Sequence, residues 1–526
     1  MITQTGNRQL TGLSLLICHL SLSMMLASCT LDEHPRDQIP EALAYTTAAS
    51  LYQNTVATLY SYIGGSADGQ GLQGTCRGIY DLQTFGSDEA MVPTRGGDWY
   101  DGGLWQDMYR HSWSAGHDFP KNAWLYLYKV ITLCNRSLEQ LEAHRQLLND
   151  DQLQAYTAEV RALRALYYWY LLDLFGNVPL VTSSDVSMQE VRQTNRAELF
   201  RFVVSELQQV YPRLSSANSV KAGDYYGRIT QPVACFVLAK LMLNAEVYTG
   251  TPQWQQAIDY CDLLEAFGFR LEADYSDNFA VLNENSTENI FTIPMDKALY
   301  TTQQQNMFRS LHYRHAAAYG FTAENGSCAT RRVLEVAGYG TASADTRFHK
   351  NYWADAVTDL SGNVVTDRSG HPLVYHPWEV DLDISGTPYV ETAGARMKKY
   401  AVDKNATKDG KQMDNDIVLF RFADVLLMRA EAKLRLGQDG QADFDAVRQR
   451  AGMQRRQLTL HNLLDERLLE MAWEGWRRQD LIRFGQYKSL YEGEDKVDES
   501  DGHTTLFPIP ADIMALNGNL QQNKGY

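Results

Sequence analysis

Residues 159–175 form the stretch that most restricts what this chain can become. Leu163, Leu166, Tyr167, Tyr170, Leu171 and Leu174 recur at i, i+3, i+4, i+7, i+8 and i+11, which places all six on one stripe of a helix. Trp169, Leu172 and Phe175 make the opposite side apolar as well. A helix that is apolar nearly all round has to be covered on both sides by other helices, as in a stacked helical array. Gly176 supplies the stop, and Pro179 in the turn behind it keeps the helix from resuming.

The same periodicity extends along much of the chain. It predicts a first helix over 47–63, another from 118 with Trp124, Tyr128, Ile131 and Leu138 on one face, and a third over 196–214. The segments 231–248 and 252–267 read as a hairpin of tetratricopeptide type. Ala239, Ala245 and Ala257 let two helices approach closely, and Thr249-Gly250 marks the turn. From Asp416, a stripe of Leu419, Phe422, Ala423, Leu426, Leu427, Ala430 and Leu434 predicts a helix stopped by Gly437, with a partner over 443–451. Residues 465–484 read as one more helix, in which Glu466, Arg467, Glu470, Glu474, Arg477, Asp480 and Arg483 stand three and four apart. Such neighbours support a helix by roughly 0.2–0.5 kcal/mol per pair. The interleaved arginines keep these acids ionised, so the pattern reads as a structural ladder rather than an acid–base pair.

Between these blocks, at 269–412, the helical spacing fades into Gly and Asp clusters and short apolar runs, which predict loops and small strands forming a packed subdomain. Asp381-Leu382-Asp383-Ile384-Ser385-Gly386 begins like a calcium loop, but its twelfth position is Thr392 where a glutamate is needed. Gly69, Gly71 and Gly74 match G-x-G-x-x-G, yet a helix precedes them where a dinucleotide fingerprint needs a strand. Apart from Cys18 and Cys29, five cysteines remain, an odd number without C-x-x-C spacing, so neither a disulfide framework nor a zinc site is read. No cofactor and no metal is expected. A net charge of −16 with no basic stripe argues against a nucleic-acid partner.

The first residues have the order of an exported leader. After Arg8, residues 10–27 are mostly apolar and end in Leu26-Ala27-Ser28-Cys29. This resembles a bacterial lipobox, in which Cys29 is lipidated and becomes the first residue of the mature chain. Asp32 and Glu33 resemble the acidic surface-export signal of Bacteroidetes lipoproteins. Residues 1–28 are thus the expected signal peptide and 29–45, with Pro35 and Pro40, a tether.

The least regular and most aromatic stretch is 81–117. It holds Arg95, Asp98, Trp99, Asp101 and Trp105 among four glycines, with Tyr109 and Trp113 beyond. Ring faces beside hydrogen-bonding heads on a Gly-rich loop suit sugar recognition, because pyranose C–H faces pack on aromatics while hydroxyls need donors and acceptors. Rings packed as the core of the loop would give the same composition.

Four stretches together resemble the SusD/RagB family of outer-membrane lipoproteins. They are Arg161-Ala162-Leu163-Arg164-Ala165-Leu166-Tyr167-Tyr168 running into Phe175-Gly176-Asn177-Val178-Pro179-Leu180; Phe420-Arg421-Phe422-Ala423-Asp424-Val425-Leu426-Leu427 and the residues to Ala432; the 466–485 ladder; and Leu506-Phe507-Pro508-Ile509-Pro510 with the closing Asn523-Lys524-Gly525-Tyr526. Gly518 and Lys524 stand where prolines are common in the family. The resemblance implies a mainly α fold, a tetratricopeptide-like scaffold of helical pairs (an α-α superhelix) with an irregular loop-rich subdomain. It divides the mature chain into an N-terminal helical region over 46–268 carrying the ligand loop, the irregular 269–412, and a C-terminal helical region over 413–526. It also implies a lid over a SusC-like, TonB-dependent barrel, anchored by lipid in the outer membrane and facing outward. Such a protein delivers oligosaccharides, or in some members peptides, without catalysis. The ligand site carries over to Arg95, Asp98, Trp99 and Trp105, with Tyr300, Tyr313, Trp353 and Trp378 as candidates for its second half. No H-E-x-x-H, G-x-S-x-G or phosphate-binding loop is present. A surface glycoside hydrolase is the rival reading, since two carboxylates across a cleft need no sequence motif.

Overall fold

The computed structural model describes residues 44–65, 67–73, 76–218, 223–299, 306–487 and 501–526. The leader, Cys29 and the tether up to residue 43 lie outside the described residues, as do Gly74 and Tyr300. Among the described residues nine helices carry the architecture: α1 (Asp118–Ala143), α2 (Asp150–Leu174), α3 (Arg196–Val210), α4 (Gln231–Leu243), α5 (Trp254–Ala266), α6 (Phe422–Arg435), α7 (Gln441–Arg450), α8 (Leu460–Glu470) and α9 (Arg477–Arg483). α2 lies between α1 and α3, and α5 between α4 and α6, so sequential helices pack as pairs.

α2 is the helix on which the sequence reading rested. Asn149 caps it in a reciprocal box, its Oδ1 accepting from Gln152 N at 2.8 Å while Gln152 Oε1 accepts from Asn149 N at 3.1 Å. From Ala158 to Leu174 every residue except Arg161 is buried, on both faces. Fully burying a large apolar side chain is worth about 1.5–3 kcal/mol, so this helix is a principal source of cohesion. Gly176 closes it in the left-handed conformation at φ +72°. Three charged residues are enclosed with it. Arg164 donates to Asn135 and Glu206 at 2.8 Å each, and Asp173 accepts from Tyr248 OH at 2.8 Å and Gln83 Nε2 at 3.0 Å. Glu159 accepts from Tyr60 OH at 2.8 Å.

Two sequence expectations are corrected. The C-terminal stripe is not helical from Asp416. Residues Ile417–Arg421 form a strand antiparallel to Asn289–Ile293, and the helix begins only at Phe422. The run Ile417-Val418-Leu419-Phe420 has the β-branched and aromatic bias of a buried strand, a bias that the 3.6-residue count over the same positions hides. Nor is the charge ladder one helix. α8 ends at Glu470, and the chain turns through Trp473 at φ +63° and Gly475 before α9 starts.

The ladder residues are also not a solvated face. Glu466, Arg467, Glu470, Glu474, Arg477, Asp480 and Arg483 are all buried, and most of their partners are distant in sequence. Arg421 reaches Glu288 at 2.8 Å, Glu470 at 2.6 Å and Glu474 at 2.8 Å. Arg467 joins Asp424 and Asp480, each at 2.7 Å, while Lys240 on α4 closes on Asp424 at 2.7 Å. Arg347 pairs with Asp345, Glu466 and Glu470. Two further links run to the N-terminal half, Arg477 to Asp88 at 2.6 Å and Arg478 to Asp173 at 3.2 Å.

The irregular stretch holds short antiparallel pairs, Tyr352–Trp353 with Arg396–Met397 and Asp355–Ala356 with Val374–Tyr375. Another pair ties Cys328–Ala329 to Ala90–Met91, next to the aromatic loop. Residues 47–526 form one compact unit. Among the described residues no helix is long and apolar enough to cross a membrane.

Candidate functional site

The aromatic loop is less irregular than its composition suggests. Short helices at Ile79–Thr84 and Leu104–Arg110 flank a turn from Arg95 to Asp98, whose backbone groups bond each other at 2.9 and 3.2 Å. The Asp381–Gly386 segment, which only begins like a calcium loop, clamps this turn. Thr94 N donates to Leu382 O at 2.8 Å, Ile384 N to Thr94 O at 3.1 Å, and Gly96 N to Ser385 Oγ at 3.0 Å. No group of three or more His, Cys, Asp or Glu able to hold a metal occurs among the described residues.

Arg95 and Trp105, both expected to face a ligand, are buried, and this corrects their assignment. Arg95 is 5% exposed and spends its guanidinium on three carbonyls, Gly326 O at 3.3 Å, Val390 O at 3.1 Å and Ala393 O at 3.0 Å. Burial, with Arg396 nearby, pushes its pKa down to about 9. A planar fork with five donors is suited to stapling three carbonyls of two backbone segments, and that is its role here. Trp105 is 1% exposed, packed edge-on against Phe85, Trp99 and Phe119, with Nε1 donating to Asp101 Oδ2 at 2.9 Å. It supports the site from behind.

Asp98 and Trp99 do reach an open cavity. Its volume is about 450 Å³, and Arg77, Asp101, Tyr313, Glu324 and Lys411 line it with them. Asp98 is exposed and accepts from Tyr313 OH at 2.7 Å. Burial and that bond push the Tyr313 phenol up to about 12, so it stays a donor at any ordinary pH. Trp99 is half-buried, and its Nε1 donates to Glu324 O at 2.8 Å. Asp101 holds Arg77 at 2.9 Å. On the far wall Lys411 lies over the Phe308 ring at 5.1 Å and 3.9 Å from Glu324, whose carboxyl burial pushes upward.

The backbone at this wall is strained. Trp99 and Asp101 sit at φ +63° and +43°, a region that costs non-glycine residues of order 1–3 kcal/mol each. The ring can lie where it does because residue 326 is glycine. A Cβ there would come within 2.6 Å of the Trp99 six-membered ring.

Of the four candidates for the second half, Tyr313 lines the cavity. Trp353 is half-buried beneath Lys398 Nζ at 4.3 Å, and Trp378 is exposed; neither belongs to this lining. Sequence reasoning noted Asp101 as a hydrogen-bonding head without assigning it to the site, and missed Arg77, Glu324 and Lys411 altogether. The Gly-rich segment before Arg77 was the one local signal for the first. Glu324 and Lys411 lie in stretches with no pattern and reach the site only through the fold.

The arrangement offers one ring face, a phenol oxygen that can still accept, and carboxylates and cations already held in pairs. That suits a ligand with both apolar faces and many hydroxyls.

A family model described as the SusD family matches residues 269–526, and a second, described as starch-binding associating with outer membrane, matches residues 81–243. The chain is 27% identical over 456 residues to the starch-binding protein SusD of Bacteroides thetaiotaomicron, covering 79% of this chain and 80% of that protein. It is 26% identical over 407 residues to the SusD-like protein P25 of Formosa agariphila, covering 69% and 70%. Among solved structures it resembles a laminarin-binding SusD-like protein, with TM-score 0.72 and 22% identity over 92% of this chain and all of that one. It also resembles the surface glycan-binding protein A of Bacteroides thetaiotaomicron in complex with laminarihexaose, with TM-score 0.70 and 21% identity over 91% of this chain.

Proposed function

Since the chain belongs to the SusD/RagB family, we propose that it binds oligosaccharides at the Trp99 cavity and passes them to a SusC-like, TonB-dependent outer-membrane transporter, without cutting them. The observation that carries this reading is the strained turn that holds Trp99 half-exposed beside the Asp98–Tyr313 pair. Non-glycine residues held in this backbone region cluster at ligand clamps and active sites, and here the turn leaves the ring half-exposed at a cavity. Relatives whose names record starch, laminarin or glycan binding support the ligand class. In this reading Cys29 carries the lipid that anchors the chain to the outer membrane, with the cavity facing outward.

Calorimetry against a panel of neutral oligosaccharides tests the site. Trp99→Ala should weaken a bound glycan about threefold to tenfold, taking a stacked ring as worth roughly 0.5–1.5 kcal/mol. Unchanged affinity would remove Trp99 from the site. Binding only of peptides would move the ligand to the other class that the family takes, and release of shorter sugars from a labelled oligosaccharide would show hydrolysis. Cys29→Ala should move the protein from the membrane fraction to the soluble fraction if the lipid is the anchor.

A further inference from the structure

A second cavity lies apart from the Trp99 lining and shares none of its residues. Its volume is about 260 Å³, and Tyr52, Ala57, Tyr60, Tyr226, Gly227 and Arg228 form most of its wall. Two features show that this wall is built rather than left over. Ahead of α1, the helical segments Ala48–Tyr52 and Thr58–Gly64 are joined by a π-helical turn at Gln53–Ala57, closed by Thr58 N donating to Gln53 O. In a regular α-helix, residues 52 and 57 would point about 140° apart. The wider turn brings Tyr52 and Ala57 onto one wall, and such insertions recur at functional positions. Opposite them, Gly227 sits at φ +70°, where a Cβ would come within 2.4 Å of Pro294 Cγ.

The charges of this cavity are spent. Glu159 takes Arg228 on both carboxylate oxygens and also accepts from Tyr60 OH at 2.8 Å, while Arg228 Nη1 donates to Asp224 O at 3.1 Å. The guanidinium lies over the Tyr52 ring at 5.2 Å from its centroid and over Tyr225 at 4.4 Å. An anion finds no unpaired cation here, and a cation finds no unpaired acid. Tyr60 OH donates to Glu159 and accepts from Ile229 N at 3.0 Å, which leaves it one acceptor position. Tyr226 OH has given its proton to a bond with Asp416. A guest therefore has to be uncharged, bring its own O–H donors, and present apolar surface to a wall of tyrosine, Ile63, Ile293 and Pro294 side chains, the Tyr52 ring already carrying Arg228 and, 4.7 Å away, Tyr156. A neutral sugar ring meets all three conditions.

We infer that this cavity is a second carbohydrate-binding site, specific for uncharged sugars and independent of the Trp99 cavity. The test is calorimetry with laminarihexaose, maltohexaose, xylohexaose and mannohexaose on the full chain. At least one probe should bind Trp99→Ala at this second site, and Ala57→Phe, which plugs the cavity from its half-exposed rim, should abolish that binding. Tyr52→Ala should weaken it severalfold, with thermal melts showing that both variants remain folded. If Trp99→Ala removes all binding, or if Ala57→Phe and Tyr52→Ala match the parent with every probe, the second site is wrong and the Trp99 site stands. If Ala57→Phe removes all binding and Trp99→Ala none, the Trp99 reading fails and this one stands. No heat with any of the four probes overturns a neutral-sugar site here.

Discussion

A single missing side chain decides where the Trp99 ring lies. Gly326 is not in the positive-φ region, so no left-handed strain opposes alanine, but the added methyl would collide with the indole at 2.6 Å and press less closely on the Arg309 carbonyl at 3.0 Å. Gly326→Ala should therefore leave the melting temperature within a few degrees of the parent while weakening glycan binding at least as much as Trp99→Ala does. Equal affinity in parent and variant would show that the ring's position is irrelevant. Glu89 behaves differently. It is buried, accepts from the Trp473 backbone N–H, and burial pushes its pKa up to about 8. A carboxyl whose pKa is raised on folding binds its proton more tightly in the native state, so its contribution to stability is full below about pH 4 and fades as pH rises toward 8. Glu89→Gln keeps the acceptor and removes the titration. Its denaturant midpoint should gain on the parent between pH 5 and 8, and parallel pH profiles for the two would refute the assignment.

At the scale of elements, turn chemistry carries as much as periodicity. Gly176 ends α2 at φ +72°, and a Cβ there would lie 2.9 Å from Leu506 Cδ1. Gly176→Ala should cost about 1–2 kcal/mol from the left-handed backbone alone, measured by urea unfolding, with more if Leu506 cannot shift. The stripe of α2, the pairing of 231–248 with 252–267 and the stop at Gly437 were legible because helix periodicity and glycine punctuation are local. The strand at Ile417–Arg421 was not, since a strand is defined by its partner, here Asn289–Ile293, more than a hundred residues away. For the same reason the 466–483 charges suggested neighbours on one helix, whereas Arg421, Arg347 and Asp424 supply much of their pairing from elsewhere. The aromatic loop was half legible. Composition marked the region, but nothing local separates Trp99, tilted into the cavity by a positive φ, from Trp105, which lies at its back.

Across the whole molecule the buried charges make acid the sensitive direction. Burial alone would raise Asp424, Glu431, Glu470 and Asp480, but their arginine and lysine partners outweigh it and hold all four below the ordinary carboxylate range. Groups depressed on folding stabilise fully above their unfolded values, near pH 4, and that stabilisation is lost as pH falls toward the folded ones. Unfolding midpoints should fall steeply between pH 4 and 3, whereas between pH 7 and 5 raised carboxyls such as Glu89 act in the opposite direction. Asp424→Asn should be less stable at pH 7 with a shallower acid limb, because breaking a buried pair from one side typically costs about 3–5 kcal/mol. An acid limb as steep as the parent's would mean that Asp424 is not part of it.

The links from Asp88 to Arg477 and from Asp173 to Arg478 also set an order of events in time. As the chain emerges during synthesis, its first half holds acids that burial would leave without their cations until α9 has been made. That half cannot close cheaply on its own, since an enclosed charge awaiting its partner is among the costliest features a native state can contain. Completion is thereby deferred until nearly the whole polypeptide is available, and contacts across so many residues close slowly. The same pairs that lock the finished scaffold keep the growing chain open.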